Sequence, residues 1–425
     1  MSAAGSAAGR GSGAALSATS VLTGLRQLAT PLSEGGLAVL EDAWLLSRDG
    51  LVVEVGTGSP PAADERVDGG DRVALPGFVD SHTHAVFGRS RADEMERRLA
   101  GESYARIADS GGGILASVAD LRGRSEDDLV ELALPRLRAM LASGTTTAEV
   151  KSGYGLSTAD ELKALRAVRR LRALLPLDLV PTFLGAHAVP REFAGDRAAY
   201  VRLLVDEMLP AVAAEGLAEF CDCFCDEGAF TAAEAETVLA TAAGLGLGLK
   251  LHADEFASLG ATELAVRLGA ASADHLLRVT PQAARALGGS RTVATLLPGT
   301  AFFLGLPYAP ARLLRESGAT LALATDFNPG SSPCASMAVV WSLACCGMGL
   351  PVGDALVALT HGGARALGRA AELGCLLPGF RADVALFDVA DYREIPYFFG
   401  ENRCALVLRG GRRAWSREDL PAPAG

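Results

Sequence analysis

Residues 75–84 read LPGFVDSHTH, a short apolar run that ends in polar side chains, two of them histidines. From this segment to about residue 372, short apolar or β-branched runs alternate with longer stretches rich in Ala, Leu, Arg and Glu, a pattern typical of strands alternating with helices in a parallel sheet. Eight such runs occur, at residues 77–84, 145–151, 179–187, 219–227, 246–254, 271–276, 292–297 and 320–326. Eight strand–helix units close a (β/α)8 barrel, so we predict an α/β fold with a TIM barrel over residues 75–372.

The two flanks of this stretch have a different texture. Residues 21–74 and 373–425 contain short strand-like runs broken by turns such as RDG at 48–50. Each flank is too short to fold alone, so we predict that they pack together as a small composite β-sandwich domain beside the barrel. Residues 1–20 begin with an Ala/Gly/Ser-rich run and are predicted to be a flexible tail.

Composition narrows the class of protein. The 425 residues are 49% hydrophobic and 21% charged, with a net charge of -11, so the chain can bury a large core and offers no cationic field for nucleic acid or an anionic membrane. The longest uncharged stretch, 328–353, contains three prolines and several glycines and predicts a buried helix near 334–348 rather than a membrane span. Eight cysteines are too few for a disulfide scaffold and favour a reducing, cytoplasmic location.

The histidines fall at informative places. The chain has six, and five of them stand at the ends of predicted strands: His82, His84, His187, His252 and His275. His82 and His84 are two residues apart on one strand, so both point to the same side and can grip one metal ion. With His252 and Asp326 they supply three imidazoles and one carboxylate, a set suited to Zn or Fe(II) with a position left for water.

These residues resemble the ligand set of the amidohydrolase superfamily. Within that superfamily, further motifs are similar, in order, to those of the imidazolonepropionase family: LAGESY at 99–104, GGGI at 111–114, EVKSGYG at 149–155, FLGAH at 183–187, LHADE at 251–255 and TDFNPG at 325–330. The resemblance covers about residues 75–383 and rests on the whole series, since any one motif would be weak.

The resemblance implies an enzyme that hydrolyses 4-imidazolone-5-propanoate to N-formimino-L-glutamate in histidine degradation. It implies one divalent metal per chain, zinc in preference to iron, held by His82, His84, His252 and Asp326. A metal-activated hydroxide would attack the ring carbonyl. His275 would hydrogen-bond the reacting water, Asp326 would also carry a proton to the leaving nitrogen, and Glu255 would meet the ring N–H or act as a base.

The propanoate tail of such a substrate calls for a planar, bidentate guanidinium. Arg91 matches the residue that binds the substrate carboxylate in the family. Arg89, two residues earlier, does not match it. The remaining substrate or product contacts that the resemblance implies are Tyr154, His187, Asn328, Gly330 and Ser331, the last standing where some members have Thr.

The predicted metal count depends on one missing residue. Binuclear relatives bridge two metals with a carboxylated lysine at the end of the fourth strand, whereas this strand ends in CDCFCDE at 221–227. We therefore predict one metal, and we read Cys221, Cys223 and Cys225 as buried packing on one face of that strand. Lys151, at the end of the second strand, is read as loop-anchoring or substrate-proximal.

Two alternatives stay open on the sequence. One is an aminohydrolase or deaminase of the same superfamily acting on a nucleobase-like ring, against which Arg91 and Tyr154 argue, because a neutral base needs no carboxylate clamp. The other is a non-catalytic barrel scaffold, which the complete set of expected ligands disfavours. For partners we expect a small-molecule substrate and a homodimer.

Overall fold

The structure is a computed structural model that describes residues 18–33, 35–102, 106–107 and 110–419. Most of the predicted tail, residues 1–17, and parts of the 99–104 motif lie outside the described residues. The strands are β1 Thr19–Pro31, β2 Leu37–Arg48, β3 Leu51–Thr57, β4 Glu65–Pro76, β5 Phe78–Asp80, β6 Thr145–Lys151, β7 Asp178–Ala186, β8 Phe220–Cys225, β9 Gly248–Ala253, β10 Ser272–His275, β11 Val293–Leu296, β12 Leu321–Leu323, β13 Val384–Phe387, β14 Cys404–Arg409 and β15 Arg412–Ser416.

The α-helices lie between and around these strands. They are α1 Ala92–Leu99, α2 Ile114–Arg122, α3 Glu126–Ala142, α4 Thr158–Leu174, α5 Arg197–Leu203, α6 Leu209–Ala214, α7 Ala232–Gly244, α8 Ala261–Leu268, α9 Pro281–Gly288, α10 Pro298–Leu304, α11 Ala311–Glu316, α12 Met337–Met348, α13 Val352–Val357, α14 Gly363–Ala366 and α15 Glu394–Tyr397. Several begin where the sequence supplies a cap. Ser125 with Asp128, and Thr231 with Glu234, form capping boxes that satisfy the first backbone N–H groups of α3 and α7.

The eight strands β5 to β12 form one parallel sheet in chain order, and each coincides with one of the eight predicted runs. Its two edges meet just beyond the strand ends, where Thr83 forms a parallel bridge with Phe327. There Asp326 N donates to His82 O at 3.0 Å, and His84 N donates to Phe327 O at 2.9 Å. The predicted (β/α)8 barrel is confirmed, and its seam closes at the end that carries the histidines.

The flanks combine as predicted into a separate β-domain. Its seven strands form one continuous mixed sheet in the order β15-β14-β13-β4-β1-β2-β3. Strand β4 from the N-terminal flank pairs antiparallel with β13 from the C-terminal flank, Leu75 lying opposite Ala385. This sheet has its own core, which includes Leu25, Leu28 and Leu386.

The uncharged stretch is a buried helix, as predicted. Helix α12 buries Trp341 completely and ends at Gly349, which takes the left-handed conformation of a helix C-cap. Among the described residues, we find no helix both long enough and apolar enough to cross a membrane. The three alternating cysteines of β8 are free thiols and fully buried in the main hydrophobic core, in agreement with the packing role predicted for them.

Candidate metal centre and active site

Three donor atoms converge at the carboxyl end of the barrel. His82 Nε2 lies 3.3 Å from His84 Nε2, and Asp326 Oδ1 lies 3.5 and 3.4 Å from these two nitrogens. The His252 ring centroid is 4.5 Å from that of His82, and the three histidines offer ligand atoms within 4.8 Å of one another. A tetrahedral ion with bonds of 2.0–2.1 Å would hold its ligands about 3.3–3.4 Å apart. The spacing of the His82, His84 and Asp326 donors fits one metal ion, and the His252 ring lies beside them.

Two carboxylates lie against the His82 and His252 rings and orient them for metal binding. His82 Nδ1 donates to Asp274 Oδ2 at 2.6 Å, and His252 Nδ1 lies 2.9 Å from Asp222 Oδ2. A carboxylate on one ring nitrogen fixes the tautomer and turns the other nitrogen towards the metal. Both ring nitrogens of His252 are buried, and neither makes a hydrogen bond of good geometry within the described chain, so Nε2 is available as a ligand atom.

Asp222 and Asp274 were missed by the sequence reasoning, although a signal existed. Cys221, Cys223 and Cys225 alternate on one face of β8, so Asp222 must point to the other face, into the barrel. Asp274 pairs in register with His252 on the neighbouring strand β9. Strand alternation together with parallel register would have placed both carboxylates beside the histidines.

Electrostatics suit the residues to metal binding. Burial lowers the pKa of His84, and it lowers the pKa of His82 well below its usual range, so both rings are neutral at pH 7 and can act as ligands. Burial acting alone would raise the pKa of Asp326, but the hydrogen bond from His84 and the nearby His275 bring it down to about 2. Asp326 Oδ2 accepts from Thr300 Oγ1 at 2.5 Å, which leaves Oδ1 facing the two histidines.

Glu255 and His275 form a pair beside the donors. His275 Nε2 lies 3.6 Å from Glu255 Oε2, and burial lowers the pKa of His275 to about 3. Burial and the Asp326 charge raise the pKa of Glu255 well above its usual range. Glu255 is not a first-turn helix carboxylate, because α8 begins at Ala261. Its loop is instead fixed by Asp226, whose carboxylate accepts from the backbone N–H groups of Glu255, Phe256 and Ala257.

The backbone at the strand ends is strained. His275 has a φ of 82° and Asp326 a φ of 50°, both in the left-handed region that residues other than glycine, asparagine and aspartate rarely adopt. Such conformations cost on the order of 1–3 kcal/mol each and cluster at functional sites. Here both occur at residues that lie beside the histidines, His275 next to His252 and Asp326 next to His84.

One cleft collects the predicted substrate residues. It opens above the donors and is lined by His84, Arg91, Tyr154, His187, His252, Glu255, His275, Asp326, Asn328, Gly330 and Ser331. The sequence did not single out four apolar walls of the same cleft, Ile114, Phe224, Phe256 and Leu304. Ile114 and Leu304 lie in helices, Phe224 in strand β8 and Phe256 in a loop, so these walls come from scattered elements and their meeting in one cleft follows only from the fold.

Arg91 is held in the cleft by a partner that the sequence did not reveal. Its Nη2 donates to Glu94 Oε2 at 2.6 Å, and Glu94 Oε1 accepts from Gly113 N at 3.0 Å. A Cβ atom at position 330 would lie only 2.3 Å from Arg91 Nη1. Gly330, predicted as a product contact, thus makes the room in which the guanidinium lies.

Loops with internal hydrogen bonds present the other predicted residues. Glu161 accepts from Gly153 N, Gly155 N and Leu156 N at 2.7–3.0 Å and so fixes the turn that carries Tyr154. His187 Nδ1 lies 2.9 Å from Gly153 O, and its ring stacks on His84.

Asn328 is engaged within its own loop. Its Oδ1 accepts from the backbone N–H groups of Gly330 and Ser331 at 2.8 and 2.7 Å, while its Nδ2 donates to Asp326 O at 2.7 Å. The Asn328 amide therefore shapes the loop that follows the metal-facing aspartate.

Lys151 fits neither of its two predicted roles. It is fully buried beneath the donors, with Nζ 2.7 Å from Asp222 Oδ2 and 2.8 Å from Glu149 Oε2, and it is not among the described residues that line the cleft. The ammonium group therefore binds carboxylates of the barrel interior and does not reach the cleft.

A (β/α)8 barrel with three histidines and an aspartate at its mouth is the arrangement expected of a metal-dependent hydrolase, and the sequence comparison agrees with this class. Residues 73–413 match the amidohydrolase family, and the chain belongs to it. The chain is 48% identical over 384 residues to the imidazolonepropionase of Symbiobacterium thermophilum, covering 88% of this chain and 90% of that one. It is 51% identical to the imidazolonepropionase of Rubrobacter xylanophilus, covering 83% and 84%. Within the amidohydrolases the chain therefore belongs to the imidazolonepropionases, as its motifs predicted.

Solved structures support the fold. A triazine hydrolase variant superposes with a TM-score of 0.77 at 20% identity, covering 96% of each chain. An adenosine deaminase from Xanthomonas campestris, solved with bound zinc, gives a TM-score of 0.71 at 17% identity, covering 95% of this chain and 94% of that one. At these identities the likeness shows a shared barrel with its β-domain.

Proposed function

We propose that the protein hydrolyses the ring C–N bond of 4-imidazolone-5-propanoate to give N-formimino-L-glutamate, a step of histidine degradation. The observation that carries the proposal is the convergence of His82, His84, His252 and Asp326 beneath a cleft that also holds Arg91. The reaction is that of the imidazolonepropionase relatives. The cleft also contains the Arg91 guanidinium, which can bind a substrate carboxylate and would have no partner on a neutral nucleobase.

We infer that these four residues hold one divalent metal, zinc in preference to iron. Neutral imidazoles and one ionised carboxylate suit either ion. When bound, such a metal supplies an activated water at neutral pH, since it lowers the pKa of that water from 15.7 towards about 7. The charges and hydrogen bonds described above keep the ligand atoms aimed at one point before any ion binds.

The chain's own residues then move the protons. The His275 ring lies 5.5 Å from the His82 ring, centroid to centroid, and His275 is proposed to orient the attacking water by a hydrogen bond. The water oxygen bonds to the ring carbonyl carbon, and its proton passes by way of Asp326 to the ring nitrogen that leaves. Glu255, fixed by Asp226, faces the same space and accepts the ring N–H. Each group stands within the cleft, so the transfers need no large movement.

Arg91 is proposed to bind the propanoate tail. Its guanidinium is planar and buried, and its partner Glu94 holds it in one orientation, so a carboxylate meets a preformed fork. Tyr154 follows strand β6 and His187 follows strand β7, and both are proposed to contact the imidazolone ring. Asn328, Gly330 and Ser331 line the side on which the opened product would lie.

The proposal is tested by following the loss of the imidazolone chromophore with purified, metal-analysed protein. Turnover of imidazolone propanoate, with no ammonia released from guanine or cytosine, is expected. Arg91→Lys should raise KM strongly while leaving the melting temperature unchanged, since lysine keeps the charge and loses the fork. Arg89→Lys is the matched control, because Arg89 is exposed and points out of the cleft lining. Equal effects of the two variants, or no turnover by metal-loaded protein, would refute it.

We further infer a cytoplasmic homodimer in which residues 75–372 form the hydrolase domain, and residues 21–74 with 373–425 form the composite β-domain. Sedimentation of the purified protein at micromolar concentration tests the dimer, for which a particle near twice 43.7 kDa is expected.

A further inference from the structure

Lysine is rare in this chain and is concentrated beneath the metal donors. Of the 39 Lys and Arg residues only three are lysines, Lys151, Lys163 and Lys250. Lys151 and Lys250 are both fully buried inside the barrel. A chain that uses arginine almost everywhere else thus places a compact ammonium at two interior positions, which suggests that size and charge matter there.

The two ammonium groups bind the carboxylates that hold the histidines. Lys151 Nζ lies 2.7 Å from Asp222 Oδ2, the same oxygen that lies 2.9 Å from His252 Nδ1. Both ammonium nitrogens lie 3.9 Å from Asp274 Oδ2, the oxygen that accepts from His82 Nδ1. Each histidine-facing oxygen therefore has a lysine on its other side.

Glu149 joins the two lysines into one network. Its Oε2 lies 2.8 Å from Lys151 Nζ and 3.0 Å from Lys250 Nζ, and Lys250 also donates to Ser81 O at 2.7 Å. Three buried carboxylates thus share two ammonium groups out of reach of water. Removing an ammonium would leave a buried carboxylate without its partner, which costs more than the pair contributes and allows the side chain to turn away.

We propose that Lys151 is a positioning residue for the metal centre, holding Asp222 in the orientation that aims His252 Nε2 at the metal. Lys250 acts in the same way on the Glu149 and Asp274 side, which serves His82. The inference rests on the proposed metal centre and explains how its histidine ligands are held in their orientation. Lysine suits the position because it is a compact charge with three donors, able to serve two carboxylates at once.

The test is the metal affinity of Lys151→Met, measured by competition of zinc with a chromophoric chelator in the absence of substrate. Methionine keeps the length of the side chain and removes the ammonium. Loss of a group that orients a ligand lowers metal affinity by roughly 10- to 100-fold, and that loss is expected here. At saturating zinc the KM for substrate should stay at the parent value, because Lys151 does not line the cleft.

Lys163→Met is the matched control. Lys163 is the third lysine and bonds Asp160 and two backbone carbonyls on the outside of the barrel. The same change there should leave zinc affinity unaltered. Equal losses of zinc affinity in the two variants, or a Lys151→Met protein that binds zinc as the parent does, would overturn the proposal.

A double-mutant cycle shows whether Lys151 acts through Asp222. Asp222→Asn should lower zinc affinity at least as much as Lys151→Met, and adding Lys151→Met to it should lower the affinity little further. Additive losses would mean that Lys151 acts by another route, and they would overturn the assignment. If Lys151→Met does not fold, Asp222→Asn alone decides, since parent-like zinc affinity there refutes the route. Parent protein that binds no zinc would instead refute the metal centre itself.

Discussion

Gly330→Ala is expected to impair substrate binding without weakening the fold. Gly330 has no positive φ, so its backbone accepts alanine, but the new Cβ would lie 2.3 Å from Nη1 and 2.6 Å from Cζ of Arg91. An unrestrained arginine side chain could relieve this clash by changing rotamer, with little loss of stability. Arg91, however, is buried and held at Nη2 by Glu94 at 2.6 Å, so the clash is relieved by displacing the guanidinium from its place in the cleft.

The size of the effect follows from what the displacement removes. A hydrogen bond to a charged group contributes about 1.5–3 kcal/mol, and 1.4 kcal/mol is tenfold in an equilibrium constant, so KM should rise by roughly 10- to 150-fold. The rate at saturating substrate should fall much less, because the metal donors are untouched. Metal content should stay that of the parent.

Steady-state kinetics with imidazolone propanoate and a thermal melt of the same preparations provide the measurement. Gly195→Ala is the control, since a Cβ there meets nothing within 4 Å. A parent-like KM for Gly330→Ala would refute the idea that Gly330 makes room for the clamp. A melting temperature lowered by several degrees would show that the clash is relieved in the fold instead.

Three further outcomes are expected. Elemental analysis should find one metal per chain and little in His252→Ala, and two equivalents in the parent would contradict the single-metal site. His275→Ala should keep its metal and its KM while kcat falls by roughly 10²- to 10⁴-fold, as for other losses of a proton-transfer or water-orienting group; a metal-free variant would make His275 a ligand. Arg381→Met should destabilise the protein by about 1–3 kcal/mol at pH 7, because Arg381 Nη1 binds the buried Asp178 carboxylate at 2.9 Å and joins the β-domain to the barrel. Burial acting alone would raise the pKa of Asp178, but Arg381 brings it below its usual value. The stability that the ion pair contributes is therefore present above about pH 4 and is lost as the pH falls through the folded-state pKa of Asp178. Denaturant melts in which parent and variant differ by a constant free energy of unfolding down to pH 2 would contradict this.

The sequence predicts the barrel because its strands are marked by local composition. A run such as 145–151 is apolar or β-branched and is followed by a long helical stretch, and both signals survive without knowledge of the fold. The histidines could be found for the same reason, since each stands at the end of such a run and strand ends meet at one edge of a barrel.

The supporting carboxylates could not be read in the same way. Glu94 lies in an ordinary charged helix, and nothing local shows that its carboxylate turns inward to Arg91. Lys151 and Lys250 lie on β6 and β9, three strands apart, so their shared contact with Glu149 depends on the curvature of the sheet. Contacts of this kind depend on side-chain direction and on the packing of distant strands, and a single sequence carries little information on either.

The seam of the barrel is made from the catalytic segments themselves. Asp326 and His84 donate their backbone N–H groups across it, to His82 O and Phe327 O, so the same few residues supply the proposed metal donors and join the first strand to the last. During synthesis, His82 and His84 are therefore made long before Asp326, and nearly the whole barrel must be synthesised before these residues can come together. A nascent chain that lacks the eighth strand has neither a closed barrel nor a full set of donors, so the donor set is complete only when the barrel closes.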